Sequence, residues 1–527
     1  MIHREETSAK KLRGGYYTPE ALAYQVVAMA KRLLGPGSVK AILEPSAGDG
    51  AFLPAIKDGI KGATVTAVEI DCAEAARFAN RAHDAHVRAI VHPMSFLEFA
   101  ELWDRSYDLV LGNPPFVRYQ FVSAADQSRI IDVAPEAAGG GVSNLWIPIT
   151  IAALRKLRHG GAFGLVLPQE LLCTKSGGAF RRFVLTHFED VTIAFPERGA
   201  FGGILQDVVL VAGRKTAVSA SLRKVTFHAR ETWQHLIPAN GDTWTPFLLN
   251  GTQLAAYHAA VALPGVKKLG ELARLAVATV TGANAYFSLT DPTRSQYHLE
   301  DATLPLLPRL GDATGLFFDQ SDHESLQRKG RPSWMLAAKP QLFDHHEGLR
   351  AYVERGEQEG LHERYKCRIR TPWYEVPIVA PKQLMVSKRG YLHPRMVVNS
   401  ACVTTTDTIY QGNVIGDVDP TILASSFHTS LTALSAEIEG RSYGGGVLEL
   451  VPSELARVLV WLWSKASDVA VLDKHSRDVG GQKDRDASLV YYSDRLASDS
   501  SPGYGELLGD LQQGWCRLRE FRRVGVG

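Results

Sequence analysis

From Ala41 to about Arg214, short apolar runs alternate with longer amphipathic ones. AILEP, TVTAVEI, YDLVLG, AFGLVLP, VTIAFP and DVVLVAG are rich in β-branched residues and bounded by Gly, Pro or Asp, a pattern that predicts buried strands. DCAEAARFANRAHD and NLWIPITIAALRKLRHG carry the helical period between them. LRHGGAF, with basic residues followed by paired glycines, reads as a helix stop before the next strand. Regular strand–helix alternation predicts an α/β fold with a doubly wound, mostly parallel sheet. The small, polar stretch KTAVSAS, residues 215–221, closes this pattern.

From roughly residue 245 the periodicity loosens, with scattered prolines and Gly-rich turns. Helical patterning returns in PSELARVLVWLWSKASDVAVL, so 250–527 reads as a mixed α+β domain with a helical C-terminal part. A chain of 527 residues is too long for one core, and division into 1–245 and 250–527 follows. No internal repeat is visible.

Composition narrows the class. With 45% hydrophobic and 22% charged residues the chain reads as globular, and no apolar run approaches the ~18 residues of a membrane span. MIHREETSAKKLRGG has no apolar core that could act as a signal peptide. The five cysteines are scattered, odd in number and form no CxxC pair, which points to the cytoplasm. Clustered metal ligands are missing as well, so no metal is expected. A net charge of +2 does not announce a nucleic-acid partner, yet RYKCRIRTPWYEV and PKQLMVSKRGYLHPR interleave basic and aromatic residues.

The chemistry concentrates in two places. The first strand runs into EPSAGDGAFL, where Gly48 and Gly50 permit a tight turn and close backbone approach to a ligand. Glu69 closes the second strand about 20 residues on, where a carboxylate can take ribose hydroxyls. This pair does not separate a dinucleotide from S-adenosylmethionine. YDLVLGNPPF does, because it sets Asn113, Pro114, Pro115 and Phe116 past the carboxyl end of a buried strand. The prolines stiffen the chain and leave carbonyls free, Asn supplies an amide oxygen, and Phe supplies a flat face. Together they suit a planar base bearing an amino group.

NPPF after a DLVLG strand resembles the catalytic motif of amino-methyltransferases. LEPSAGDGAFL resembles their cofactor motif, VEID their ribose motif, and GGYYTPEALAYQVV the segment closing over the methionine end. ATVTGANAYFSL, NSACVTTTDTIYQ and YGGGVLELVPSEL are similar to stretches of restriction–modification methylases of the TaqI and Eco57I kinds. The cofactor motif precedes NPPF with only about 60 residues between Gly50 and Asn113, so any target-recognition domain must follow the catalytic unit. That order resembles the gamma class of N6-adenine DNA methyltransferases.

The resemblance implies a Rossmann-like catalytic domain over 1–245, a DNA target-recognition domain over 250–527, and S-adenosylmethionine as cofactor. It implies that Tyr17 and Thr18 meet the methionine end and that Glu44, Pro45, Ala47 and Gly48 line the cofactor, with Glu69 on the ribose. It further implies that Asn113 and Pro114 accept the amino hydrogens of a flipped-out adenine and that Phe116 and Phe201 stack on it. The family often carries an acid after the third strand, facing the cofactor's adenine; this chain has Ser95 and Phe96 there. Lys388 and Arg389, beside a Gly390-Tyr391 turn, are the candidates for DNA contact. The expected partner is double-stranded DNA, bound by a monomer, with room for a separate cognate restriction endonuclease. About a dozen residues precede GGYYTP, too few for an N-terminal nuclease domain. RNA adenine, a protein glutamine, or a non-catalytic role as a DNA-specificity subunit stay open as alternatives.

Overall fold

The computed structural model describes residues 18–35, 39–138, 143–196, 208–442 and 445–522. Tyr17 and Phe201 lie outside the described residues. The chain separates into one unit ending at Asn250 and a second spanning Gly251–Arg522.

Chain order in the first unit begins α1 (Glu20–Leu33), β1 (Ala41–Glu44), α2 (Leu53–Gly59), β2 (Thr64–Val68) and α3 (Cys72–Asp84). It continues β3 (Arg88–His92), α4 (Phe96–Leu102), β4 (Tyr107–Gly112), α5 (Ala124–Val133), α6 (Trp146–Arg155) and β5 (Leu157–Pro168). It ends α7 (Gly178–His187), β6 (Phe188–Ala194), β7 (Val208–Lys215), β8 (Leu222–His228) and β9 (Thr232–Pro238). The strands form one sheet in the order β3-β2-β1-β4-β5-β7-β6-β8-β9. β1 pairs in parallel with both β2 and β4, so the strand order reverses beside it. Ligands of open α/β sheets sit outside the carboxyl ends of the strands at such a switch point.

The strands are apolar because both faces are covered. Ile42, Val65, Leu109 and Val166 are buried in one cluster with Leu22, Val26 and Ala30 from α1 and Phe78 from α3. Two sequence expectations give way here. LRHGGAF does not end a helix: α6 stops at Arg155 and residues 157–163 already belong to β5. The glycines serve a bulge instead, since the β4–β5 register shifts between Tyr107 and Leu109 and Gly160 takes φ +75°. The sheet also continues past 215–221, with β8 added in parallel to β6 and β9 antiparallel to β8.

The second unit holds a five-stranded and a four-stranded sheet and ends in three helices, Ala466–Asp478, Arg485–Ser500 and Pro502–Arg522. The PSELARVLVWLW stretch is not one helix. Leu459–Trp461 is a strand paired with Val266–Lys268, as its run of Val and Trp favours.

Candidate functional site

At the end of β1 the chain turns through Ser46–Phe52, and the turn is tied down from β2. Ala47 N–H donates to the Val68 carbonyl at 3.0 Å and Gly48 N–H to Glu69 Oε2 at 2.9 Å. The other oxygen, Glu69 Oε1, accepts from Asp71 N–H at 2.9 Å. Glu69 therefore fixes the glycine turn through a charge-assisted bond. Each carboxylate oxygen can accept more than one donor, so these bonds leave capacity for hydroxyls. Gly48 takes φ +53° with nothing within 4 Å of where a Cβ would stand, leaving open space above the turn.

Glu44, the last residue of β1, is 1% exposed, and its Oε2 has no hydrogen-bond partner among the described residues. Burial pushes its carboxyl well above the usual range; Asp49 and Glu69 add to this, and Arg81 opposes it. Arg81 itself bonds Asp49 Oδ2 at 2.8 Å. Asp49 and Glu69 thus stand at this edge as carboxylates beside Glu44, with Arg81 as the cation that opposes them. An unmet buried acceptor and an open glycine cradle are what S-adenosylmethionine, a cation with donors on its ribose and amino group, would fill. Glu44, Gly48 and Glu69 fit that cofactor.

The NPPF segment lies beside this turn. Gly112 closes β4, and a Cβ there would stand 3.3 Å from Pro45 Cδ, so the two motifs meet at the switch point. Asn113 donates from Nδ2 to Thr18 Oγ1 at 3.1 Å. Thr18 and Pro114 are buried, while Asn113 and Phe116 are half-buried. The exit is pinned as well: Leu145 N–H donates to the Val117 carbonyl at 2.8 Å and Tyr119 N–H to that of Ser143 at 3.0 Å. Thr18, Pro45, Gly48, Glu69 and Asn113 thus come together at one edge from four separate stretches of sequence.

After β3 the structure adds residues that the sequence did not single out. Ser95 precedes α4, but its hydroxyl does not cap that helix; it donates to Asp126 Oδ1 at 2.8 Å. Asp126 lies in the first turn of α5, where Ser123 caps the helix by accepting from Asp126 N–H at 3.1 Å. Arg129 Nη1 stands 3.3 Å from Asp126 Oδ1, and its Nε bonds Glu101 at 3.0 Å. A carboxylate from α5 thus contacts the hydroxyl of the serine that follows β3. Phe96 is buried and stacks on Phe99 with ring centroids 5.9 Å apart. Ile70, directly after Glu69, is 64% exposed at the same edge. An apolar side chain displayed directly after the Glu69 carboxylate is a signal that VEID already contained.

In the second unit, Lys388 Nζ lies 3.7 Å and Arg389 Nη2 3.1 Å from Glu449 Oε1. One carboxylate thus faces two cations. The TGAN and TTTD stretches meet: Asn284 Nδ2 donates to Asp407 Oδ1 at 3.0 Å, and Thr279 N–H to the Thr405 carbonyl at 3.2 Å. Arg370 and Cys367 both donate to the Thr281 carbonyl. On that knot sits a short basic helix, Tyr365–Arg368, whose Tyr365 is 65% exposed beside Lys366 and Arg368. Among the described residues no group of three His, Cys, Asp or Glu could hold a metal, and no helix is long and apolar enough to cross a membrane.

Residues 64–196 match the family Eco57I restriction-modification methylase, and residues 241–494 match Type II methyltransferase M.Eco57I, C-terminal domain. The chain is 22% identical to Type II methyltransferase M.AccI of Acinetobacter calcoaceticus, over 88% of this chain and 87% of the relative. It is 24% identical to Type II methyltransferase M.XamI of Xanthomonas campestris pv. amaranthicola, over 85% of each. Among solved structures, a cryo-EM structure of a DrdV–DNA complex aligns with TM-score 0.50 and 11% identity. That alignment covers 91% of this chain and 58% of the other, and it shows a shared fold.

Proposed function

We propose that this chain, which belongs to the gamma-class, Eco57I-type restriction–modification DNA methyltransferases, methylates the N6 amine of a flipped-out adenine in duplex DNA. The observation that carries the reading is Asn113 at the end of β4, oriented by Thr18 and set against the glycine turn that Glu69 holds. S-adenosylmethionine, when bound, supplies an electrophilic methyl group on a sulfonium, whose thioether is already a good leaving group.

With Nδ2 given to Thr18, the Asn113 side chain presents Oδ1 as its acceptor. Oδ1 and the Pro114 carbonyl accept the two amino hydrogens of the adenine. These bonds draw the nitrogen away from conjugation with the ring and aim its lone pair. Held this way by Asn113 and Pro114, the nitrogen would face the methyl group that S-adenosylmethionine would supply, and its surplus proton would leave for solvent. Phe116 stacks on the extruded base and offsets part of the cost of extrusion, a few kcal/mol. Positioning and oriented acceptors supply the rate.

Around the cofactor, Glu44 takes the ammonium and Glu69 the ribose. Ile70 faces the adenine ring, and Asp126, delivered through Ser95, accepts from its amino group. Ala47 and Pro45 shape the turn. Tyr17 and Phe201, outside the described residues, keep the roles implied by resemblance, as methionine-end contact and second stacking ring. The second unit serves as the target-recognition domain, with the basic, aromatic 364–370 segment and the Lys388–Arg389 turn toward the duplex. The enzyme works as a cytoplasmic monomer, alongside a separate cognate endonuclease.

The test is transfer of labelled methyl from S-adenosylmethionine to duplex DNA, to RNA, and to a glutamine-bearing peptide. Labelling of duplex DNA alone, lost in Asn113→Ala, supports the reading; labelling of RNA or peptide in its place overturns it.

A further inference from the structure

The five-stranded sheet of the second unit carries a cavity of about 390 Å³ that the catalytic site does not use. Its floor follows from register. Strand Ala273–Val277 runs antiparallel to strand Ile409–Val414, with Arg274 opposite Asn413 and Ala276 opposite Gln411. Opposed residues share a face, as do residues two apart on one strand, so these four project from the same side of the sheet. All four line the cavity, with Val277, Val379 and Lys382.

Gln411 is 3% exposed. Its Nε2 donates to Thr405 Oγ1 at 2.8 Å, but its Oε1 has no partner among the described residues. A buried amide oxygen left in that state is a receptor for a donor. Arg274 is exposed and Lys382 half-exposed, and neither forms an ion pair with an acid among the described residues. They differ in this from Lys388 and Arg389, which share Glu449. The wall is also held in place. Val379 N–H donates to Thr279 Oγ1 at 3.0 Å, Thr404 Oγ1 to the Val379 carbonyl at 3.1 Å, and Asn399 Nδ2 to the Lys382 carbonyl at 3.0 Å. A fixed apolar recess with one buried acceptor and two uncompensated cations combines the needs of a flat heterocycle with an amino group and those of an anion.

We infer that this cavity is a nucleotide subsite for the DNA substrate. Gln411 accepts from the exocyclic amine of a base, and Arg274 and Lys382 hold the adjoining phosphates. The inference rests on the reading of the second unit as the DNA-recognition domain.

The two halves of the subsite have separable signatures. Purified full-length protein is used to select from a randomised duplex pool, and affinity for the selected duplex is followed across a salt series. The double variant Arg274→Ala/Lys382→Ala should keep the wild-type base preferences while its log–log salt slope falls by about two units. Gln411→Met should keep the salt slope and lose preference at one position, weakening the selected duplex roughly 5–150-fold relative to its single-base variants. Thermal melting of Gln411→Met separates misfolding from lost readout, and the surface double variant stands independently of it. Wild-type slope and preferences in both folded variants, with wild-type DNA methylation intact, would overturn the subsite alone. A wild-type chain that neither binds nor methylates DNA would remove the reading beneath it as well.

Discussion

Asn113 Nδ2 donates to Thr18 Oγ1 at 3.1 Å across 95 residues of sequence, joining the segment before α1 to the one after β4. A primary amide has one donor end and one acceptor end, so this bond decides which end faces the reacting amine. Asn113→Ala should abolish transfer while cofactor affinity stays within a few fold, because the acceptor matters mainly as the nitrogen attacks. Thr18→Val, which keeps the shape and removes the acceptor, should lower kcat by ~10- to 100-fold, short of the full effect expected for losing a preorganised group. Turnover of Thr18→Val equal to wild type would show that Asn113 is oriented by other contacts.

Glu44 ties stability to cofactor binding with opposite signs. Burial holds its carboxyl well above the usual range, so folding favours the protonated form. Its contribution to stability is greatest at low pH and is lost as pH rises from the ordinary carboxylate pKa through the raised one. Glu44→Gln should therefore raise the melting temperature of the ligand-free protein at neutral pH, by roughly 2–4 °C per kcal/mol. Cofactor affinity should fall in the same variant. Wild-type affinity should increase with pH as the carboxylate forms, and that dependence should vanish in Glu44→Gln. A pH-dependent affinity surviving in the variant assigns the titration to another group.

Asp126 was not legible in the sequence. SFLEF offers a serine where an acid is usual, and the proposed carboxylate lies on α5, 31 residues later, bonded to the Ser95 hydroxyl. Asp126→Asn should weaken S-adenosylmethionine about 10-fold or more. It should weaken the analogue with hypoxanthine in place of adenine much less, since that ring has no amino group. Equal losses for the two compounds, measured calorimetrically, would return Asp126 to a purely structural pair with Arg129.

The turns at the candidate site were largely readable because their signals are local. EPSAGDG must turn at positive φ, and NPPF cannot continue a strand, whatever surrounds them. What escaped is set by tertiary contact. The bulge at Gly160 depends on β5 pairing with β4, and the Leu459–Trp461 strand exists because Val266–Lys268 lies beside it. The ion pairing of the Lys388–Arg389 turn depends on Glu449, some 60 residues away.

That pairing changes the expectation for DNA contact. Lys388→Ala and Arg389→Ala should each flatten the salt dependence by less than the unit expected of an uncompensated phosphate contact, because Glu449 already offsets part of their charge. The triple variant Arg364→Ala/Lys366→Ala/Arg368→Ala should flatten it by about two to three units. A full unit lost from either single variant would show that Glu449 releases its partners on binding.

Methyl transfer to the N6 amine of adenine in duplex DNA is read from the product nucleoside. Duplex DNA treated with the purified chain and S-adenosylmethionine, digested to nucleosides and resolved by mass spectrometry, should yield N6-methyladenine. It should yield none with Asn113→Ala. Methylated cytosine as the sole product would contradict transfer to adenine, and N6-methyladenine at the same level from Asn113→Ala would remove Asn113 from the reaction.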